Sequence, residues 1–311
     1  MLPISAERDR VTFGERFVLR FERTLRVPDD GRTYPLPPGL GRFQVFRVSD
    51  YKDRVPSAWL KEDGVFISMR QSEALWVSFD SAPWKPSAVT VAVGRINAIS
   101  GGAWPDTLHA APQNYMVCPP QLWLDGINAG AGFVRQFVAM PLGHGGTVEG
   151  QVAGVEIHGG MQVRVYDPKP GRFPDTAPPG SANRRRAPEM AASSMTKMGF
   201  APGGQISQKV ITDPHGLDVW DTQQFGTLVV HVLNTAQHEA ITGRPAPPPV
   251  ISASTYTNHG FPWFRHYEEE AIDVPASETL AALSSIAELS GVPEDRLDVP
   301  EPHIIDLNKK S

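Results

Sequence analysis

The sequence is short of cysteine, of long apolar runs and of uncompensated charge, and each shortage removes a class of protein. Cys118 is the single cysteine among 311 residues. One thiol forms no internal disulfide, so the fold is not built for an oxidising compartment, and a cytoplasmic setting is expected. No apolar run approaches the roughly 18 residues that cross a bilayer. The most apolar window, residues 226–233, is far shorter. Residues 1–10 carry acids and lack the apolar centre of a signal peptide. The 29 basic and 34 acidic residues leave a net charge of −5, and the two signs are interspersed along most of the chain. A duplex-binding protein carries a basic face or stripe, so nucleic acid is not an expected partner.

Proline is abundant instead, at 30 residues, nearly twice its typical share of about 5%. Together with 28 glycines it disfavours long helices and favours short strands joined by turns. The strands are visible as period-2 patterns. Phe17, Leu19 and Phe21 alternate with Val18, Arg20 and Glu22, and the segment runs into Asp30-Gly31, a hairpin signal. Further strands are expected at 65–69, 74–79, 89–93, 134–139, 147–152 and 161–166. Their spacing, with glycine or proline between them and no helical crossovers, points to an antiparallel β-sandwich or barrel-like domain over residues 1–166. A Pro/Arg-rich stretch at 167–189, containing Arg184-Arg185-Arg186, reads as a linker or long loop. Residues 190–311 read as a smaller α+β region: a short helix at 190–198, a strand at 206–211, and a strand or helix at 225–236. The clearest helix is expected at 278–290, with Ser277 as N-cap and Gly291 and Pro293 as its stop. The fold class is therefore mainly β, with that α+β region at the C-terminal side.

Catalytic signatures fail one by one. Gly145 to Gly150 has the glycine spacing of a phosphate loop but Gln151-Val152 where Lys-Ser/Thr is required, so a glycine-rich hairpin is expected. His231, His238 and Glu239 lack zincin spacing. Asp213, Asp218 and Asp221 lack calcium-loop spacing and read as turn residues. Cys118 precedes Pro119-Pro120 and reads as a small buried side chain, with His109 and His144 as the histidines a catalytic thiol would recruit. Glu268-Glu269-Glu270 reads as a solvated acidic face. No cofactor and no metal are expected. The most binding-like stretch joins Trp123, Asp125, Arg135 and Gln136 with Glu149: an apolar platform with a few fixed donors and acceptors, as polar small-molecule and sugar sites use.

Several segments carry a resemblance: 23–31 with 34–39, 71–76, Trp123-Leu124-Asp125-Gly126, 135–143 and 216–221. Together, over about residues 17–270, the chain resembles a family of uncharacterised microbial proteins, some labelled "integral membrane protein". The resemblance implies no catalytic residue. Its membrane label would imply membrane contact, which the hydropathy limits to peripheral association.

Two functions follow as expectations. The first is a non-catalytic β-rich binding or self-assembly protein, with a protein partner or further copies of itself, or with a small polar ligand or sugar. The second is a hydrolase or sugar-processing enzyme whose site, centred on Trp123, Asp125, Arg135, Gln136 and Glu149, is assembled from dispersed loops.

Overall fold

The computed structural model describes residues 1–105, 107–177, 198–266, 271–292 and 294–307. In chain order its strands begin with β1 Ile4–Glu7, β2 Arg10–Phe13, β3 Phe17–Thr24, β4 Thr33–Tyr34, β5 Gly39–Arg42, β6 Phe46–Arg47 and β7 Val65–Ser68. They continue with β8 Ala74–Asp80, β9 Ser87–Val93, β10 Ile96–Asn97, β11 Met116–Cys118, β12 Trp123–Leu124, β13 Gly126–Gly130 and β14 Phe133–Pro141. The last five are β15 Met161–Pro168, β16 Met198–Ser207, β17 Trp220–Leu233, β18 Trp263–Arg265 and β19 Ile304–Asp306. The helices are short: α1 Ser57–Glu62, α2 Val148–Ala153, α3 Thr235–Thr242, α4 Ala253–Asn258, α5 Glu278–Ala281 and α6 Ile286–Ser290.

The chain is mainly β, as expected, and the pairings arrange it as two layers. One runs β1-β2-β3-β8-β14-β16-β4; the other runs β6-β7-β17-β15-β9-β11. All pairings are antiparallel except β4–β16 and β7–β17 within the large sheet, and β18–β19 in a small sheet near the C-terminal side. Met198 bridges to Val232 where β16 of one layer meets β17 of the other. At the opposite edge Leu2 N donates to Phe225 O at 2.9 Å and Val45 N to Arg8 O at 2.6 Å. Phe21, Val77 and Phe137 from the first layer meet Val91, Val163 and Val230 from the second in one apolar core. The period-2 alternation of β3 is what sends Phe17, Leu19 and Phe21 to that core together.

The second layer is also covered on its outer side. Phe66 and Leu233 pack there with Trp59 and Ile241. Ala88 packs with Tyr115, Tyr166 and Trp220. Burial on both faces explains why every residue of β9 is buried and why its side chains do not alternate between apolar and charged. No helix among the described residues is long and apolar enough to cross a membrane.

Several sequence expectations are corrected. A β domain ending at 166 is too short: β16 and β17 lie inside the sheet, so both sides of the 167–189 stretch contribute strands. Residues 147–152 form not a strand or hairpin but α2. Thr147 Oγ1 caps it by accepting from Gly150 N, and Gly154 closes it at φ 72°. The Asp30-Gly31 turn does not join a hairpin, because β4 pairs with β16 and not with β3. The strand at 206–211 begins earlier and stops at Ser207. The ambiguous segment 225–236 is strand to Leu233 and helix from Thr235. The expected helix 278–290 is two, α5 and α6. Arg135 donates to Leu283 O, and the Gln151 amide bonds both Ser284 N (2.7 Å) and Ser284 O (2.9 Å), so the backbone between them is spent on side chains. Ser285 and Glu288 then start α6 with a capping box. Arg184-Arg185-Arg186, most of the helix expected at 190–198, and Glu268-Glu269-Glu270 lie outside the described residues.

A close approach of β13 to β14 tests this architecture. A Cβ on Gly126 would lie 1.8 Å from Arg135 O. Gly126→Ala is therefore expected to destabilise the fold by about 1–3 kcal/mol, read as a lower urea midpoint. An unchanged midpoint would refute the register.

Candidate functional site

The most site-like feature is a groove at the end of the first layer. Leu36 extends that layer towards β18 through reciprocal bonds with Phe264, N to O at 2.8 and 3.0 Å. Segment 297–301 lies against the resulting shelf. Between them is a cavity of about 330 Å³ with Arg32, Tyr34, Phe264, Arg265, His266 and Asp298 in its walls. A smaller cavity, about 30 Å³, shares Leu36, Ser207 and His266 and is closed by Trp123 and Lys209. Trp123 meets His266 edge to face at a centroid distance of 5.2 Å. The groove thus has aromatic surfaces and both signs of charge.

Its walls are held firmly. The Gln208 side chain accepts from Asp125 N at 2.9 Å and donates to Trp123 O at 3.3 Å. Gln121 Nε2 also donates to Trp123 O, at 2.9 Å. Two buried amides therefore hold the main chain at Trp123. Arg265 binds both oxygens of Glu301, at 2.9 and 3.3 Å. Tyr34 donates to Asp30 Oδ2 at 2.8 Å and accepts from Leu297 N at 3.3 Å. Burial, together with the Asp30 carboxylate, pushes the Tyr34 phenol up to about 12, so it stays a neutral donor.

The five residues singled out in the sequence do not share this groove. Trp123, half-buried, lines only the small adjoining cavity and meets the groove through His266. Asp125 is buried, its Oδ2 has no partner, and burial pushes its carboxyl up to about 7 against a hydrogen bond from Trp123. Arg135 is turned to Leu283 O. Gln136, fully buried, joins Leu25 O (2.9 Å) to Val27 N (3.1 Å). Glu149 accepts from the amides of Ile157, His158 and Gly159 at 2.8–3.0 Å. Four of the five thus serve the interior and its loops. Sequence reasoning missed Tyr34, Phe264, Arg265 and His266. The cluster Trp263-Phe264-Arg265-His266, aromatic and basic together, was the available signal.

Other sequence candidates are structural. His231 stacks on Trp59 at 4.0 Å, under α1 and α3. His238 lies beside Phe46, and desolvation lowers its pKa. Asp213 accepts from Tyr115 OH, Trp220 Nε1 and His215 N. Cys118 is buried, which pushes its thiol up and away from reactivity. No three His, Cys, Asp or Glu residues among those described group as metal ligands.

A second cavity, about 440 Å³, shares Leu297 with the groove and has Arg26, Ser72, Glu73, Ser252, Asp295 and Arg296 in its walls. No protein-family model matches the chain, and neither a curated protein nor a solved structure does.

Asp125 supplies a pH test. Its pKa rises from 3.8 unfolded to about 7 folded, so folding favours the neutral acid. The cost of burying the charge is absent below the unfolded value, grows as pH rises through this window, and is constant above it. Asp125→Asn is expected to flatten the pH dependence of unfolding free energy between pH 3.8 and about 7 by on the order of 4 kcal/mol. Parallel wild-type and variant curves would show that Asp125 does not titrate there.

Proposed function

We propose that the protein is a non-catalytic binding protein that holds a small polar ligand of the sugar class in the groove beside Trp123. The observation that carries this is the set of aromatic faces, Tyr34, Phe264 and His266, placed with Arg32, Arg265, Asp298 and Glu301 around one groove, with Trp123 packed against His266 in the small cavity that adjoins it. Sugar-type ligands stack on such faces while fixed charged groups bond their hydroxyls. A binding role is favoured over the hydrolase reading by the carboxyl groups. Those with raised pKa values, Glu22, Asp125 and Asp273, line none of the three cavities described above. A catalytic acid would be expected in the cleft where it works. The single thiol fits a reducing, cytoplasmic setting for this role.

Calorimetric titration with a panel of neutral mono- and disaccharides tests the proposal. Wild-type protein should bind at least one, and Trp123→Ala should weaken it roughly ten- to a hundredfold with the fold intact. Absence of binding across the panel, or an indifferent Trp123→Ala variant, removes the reading.

Self-association is a second reading, favoured by β19. It is the outer strand of the shelf, and Ile305 (48% exposed) and Leu307 (51%) stand open on and just beyond it. Light scattering over a concentration series should then show a dimer or larger species that Ile305→Lys returns to monomer. A wild-type monomer throughout would end that reading.

A further inference from the structure

The second cavity is assembled from four segments distant in sequence, and two ion pairs tie them together. Its floor is Glu73, at the turn into β8. Glu73 Oε1 accepts from Arg23 Nε at 2.9 Å and also from Arg23 Nη2, and Oε2 accepts from Arg70 N at 2.9 Å. Both partners of this pair are only 3% exposed. Arg23 Nη2 also donates to Pro248 O at 3.2 Å, which ties the wall containing Val250 and Ile251 to the floor. Across the opening, Arg26 pairs with Glu294, and Glu294 also accepts from Asp29 N at 3.1 Å, anchoring the segment that continues to Leu297. A buried ion pair is weak evidence for stability, because desolvation offsets its attraction. Here the two pairs hold a cavity open in a set shape.

The charges in the wall can be counted. Glu73 is neutralised by Arg23 and Glu294 by Arg26. That leaves Asp295 and Arg296, opposite in sign, exposed, and without a hydrogen bond or ion pair among the described residues. Ser72 adds a hydroxyl from a left-handed backbone, φ 64°, that L side chains seldom adopt, a type of strain found at binding sites. Ser252 and Ser254 add two further hydroxyls, and the remainder of the wall is aliphatic: Pro28, Ala74, Val250, Ile251, Ala253 and Leu297. At about 440 Å³ the space falls in the range of small-molecule sites.

We propose that this cavity is a second ligand site, distinct from the Trp123 groove, and that it takes a free aliphatic α-amino acid. The ligand carboxylate lies at Arg296, which offers a planar bidentate fork. The ligand ammonium lies at Asp295, whose ionised carboxylate is acceptor-only. The aliphatic side chain rests on Val250, Ile251 and Leu297. Because the wall, together with Arg23 paired to its floor, sums to zero charge, a zwitterion enters without leaving an uncompensated charge behind.

The test is calorimetric titration of the full chain with L-leucine, with 4-methylvalerate and isoamylamine as analogues that each lack one charge. Leucine should bind, and each analogue should bind roughly ten- to a hundredfold more weakly. Arg296→Gln and Asp295→Asn should each reduce leucine affinity by a similar factor. Both side chains lie outside the fold's bonding, so melting temperature should not change. Trp123→Ala should bind leucine as the wild type does, which separates this site from the groove. No leucine binding, equal binding of the analogues, or undiminished binding by either charge variant would overturn the proposal.

Discussion

The arrangement depends on the chain's passage from one layer to the other between β16 and β17. A sheet with one apolar face has to bury it, and here the partner face is a second sheet. β16 finishes the first layer against β14, and β17 is the strand on which β15 and β7 of the second layer pair. The Met198–Val232 bridge is where the two meet. Without that crossing, Phe137 and Phe200 would have no Val163 or Val230 to face, and the shelf carrying Tyr34 would have no strand to lie beside.

Buried polar groups in this protein sort by what they hold. Gln136, Gln121, Gln208 and Glu149 each accept or donate two or more bonds to main chain of remote segments, and so replace ladder bonds where the sheet becomes irregular. The Arg23–Glu73 pair does the same with charge. Asp125 is different: it is enclosed and half-satisfied, and its cost is set by protonation. The groups left over, around Trp123 and around Arg296, are those that face cavities.

Strands with strict alternation, such as β3, β8 and β15, were legible because one period decides which side chains are covered. The failures have a common cause, namely side chains that act on a distant backbone. Residues 147–152 alternate like a strand, yet Glu149 has to reach the amides of 157–159, and a helical turn over Gly94 puts it there. The stripe at 278–290 is continuous, yet Arg135 and Gln151 claim the backbone in its middle. The candidate site was legible at one residue, Trp123. Asp125, Arg135, Gln136 and Glu149 carry the right chemistry for a ligand and spend it inside the fold. Tyr34 and His266 meet Trp123's groove only through the β4–β16 and Leu36–Phe264 pairings, which no local pattern encodes.

The order in which this chain leaves the ribosome sets a problem that its topology does not solve early. β14 and β15 are made long before β16 and β17, which pair along them. Until residue 207 has emerged, a nascent chain that has already formed β3, β8 and β14 presents the unpaired margin of β14, and β7 waits some 165 residues for its neighbour in β17, as in the Val65–Val230 register. Long-range pairing of this kind is slow, and open β margins invite association with other chains. Biosynthesis of this fold therefore favours conditions that keep nascent chains apart, such as slow translation or chaperone capture, over conditions that merely stabilise the finished protein.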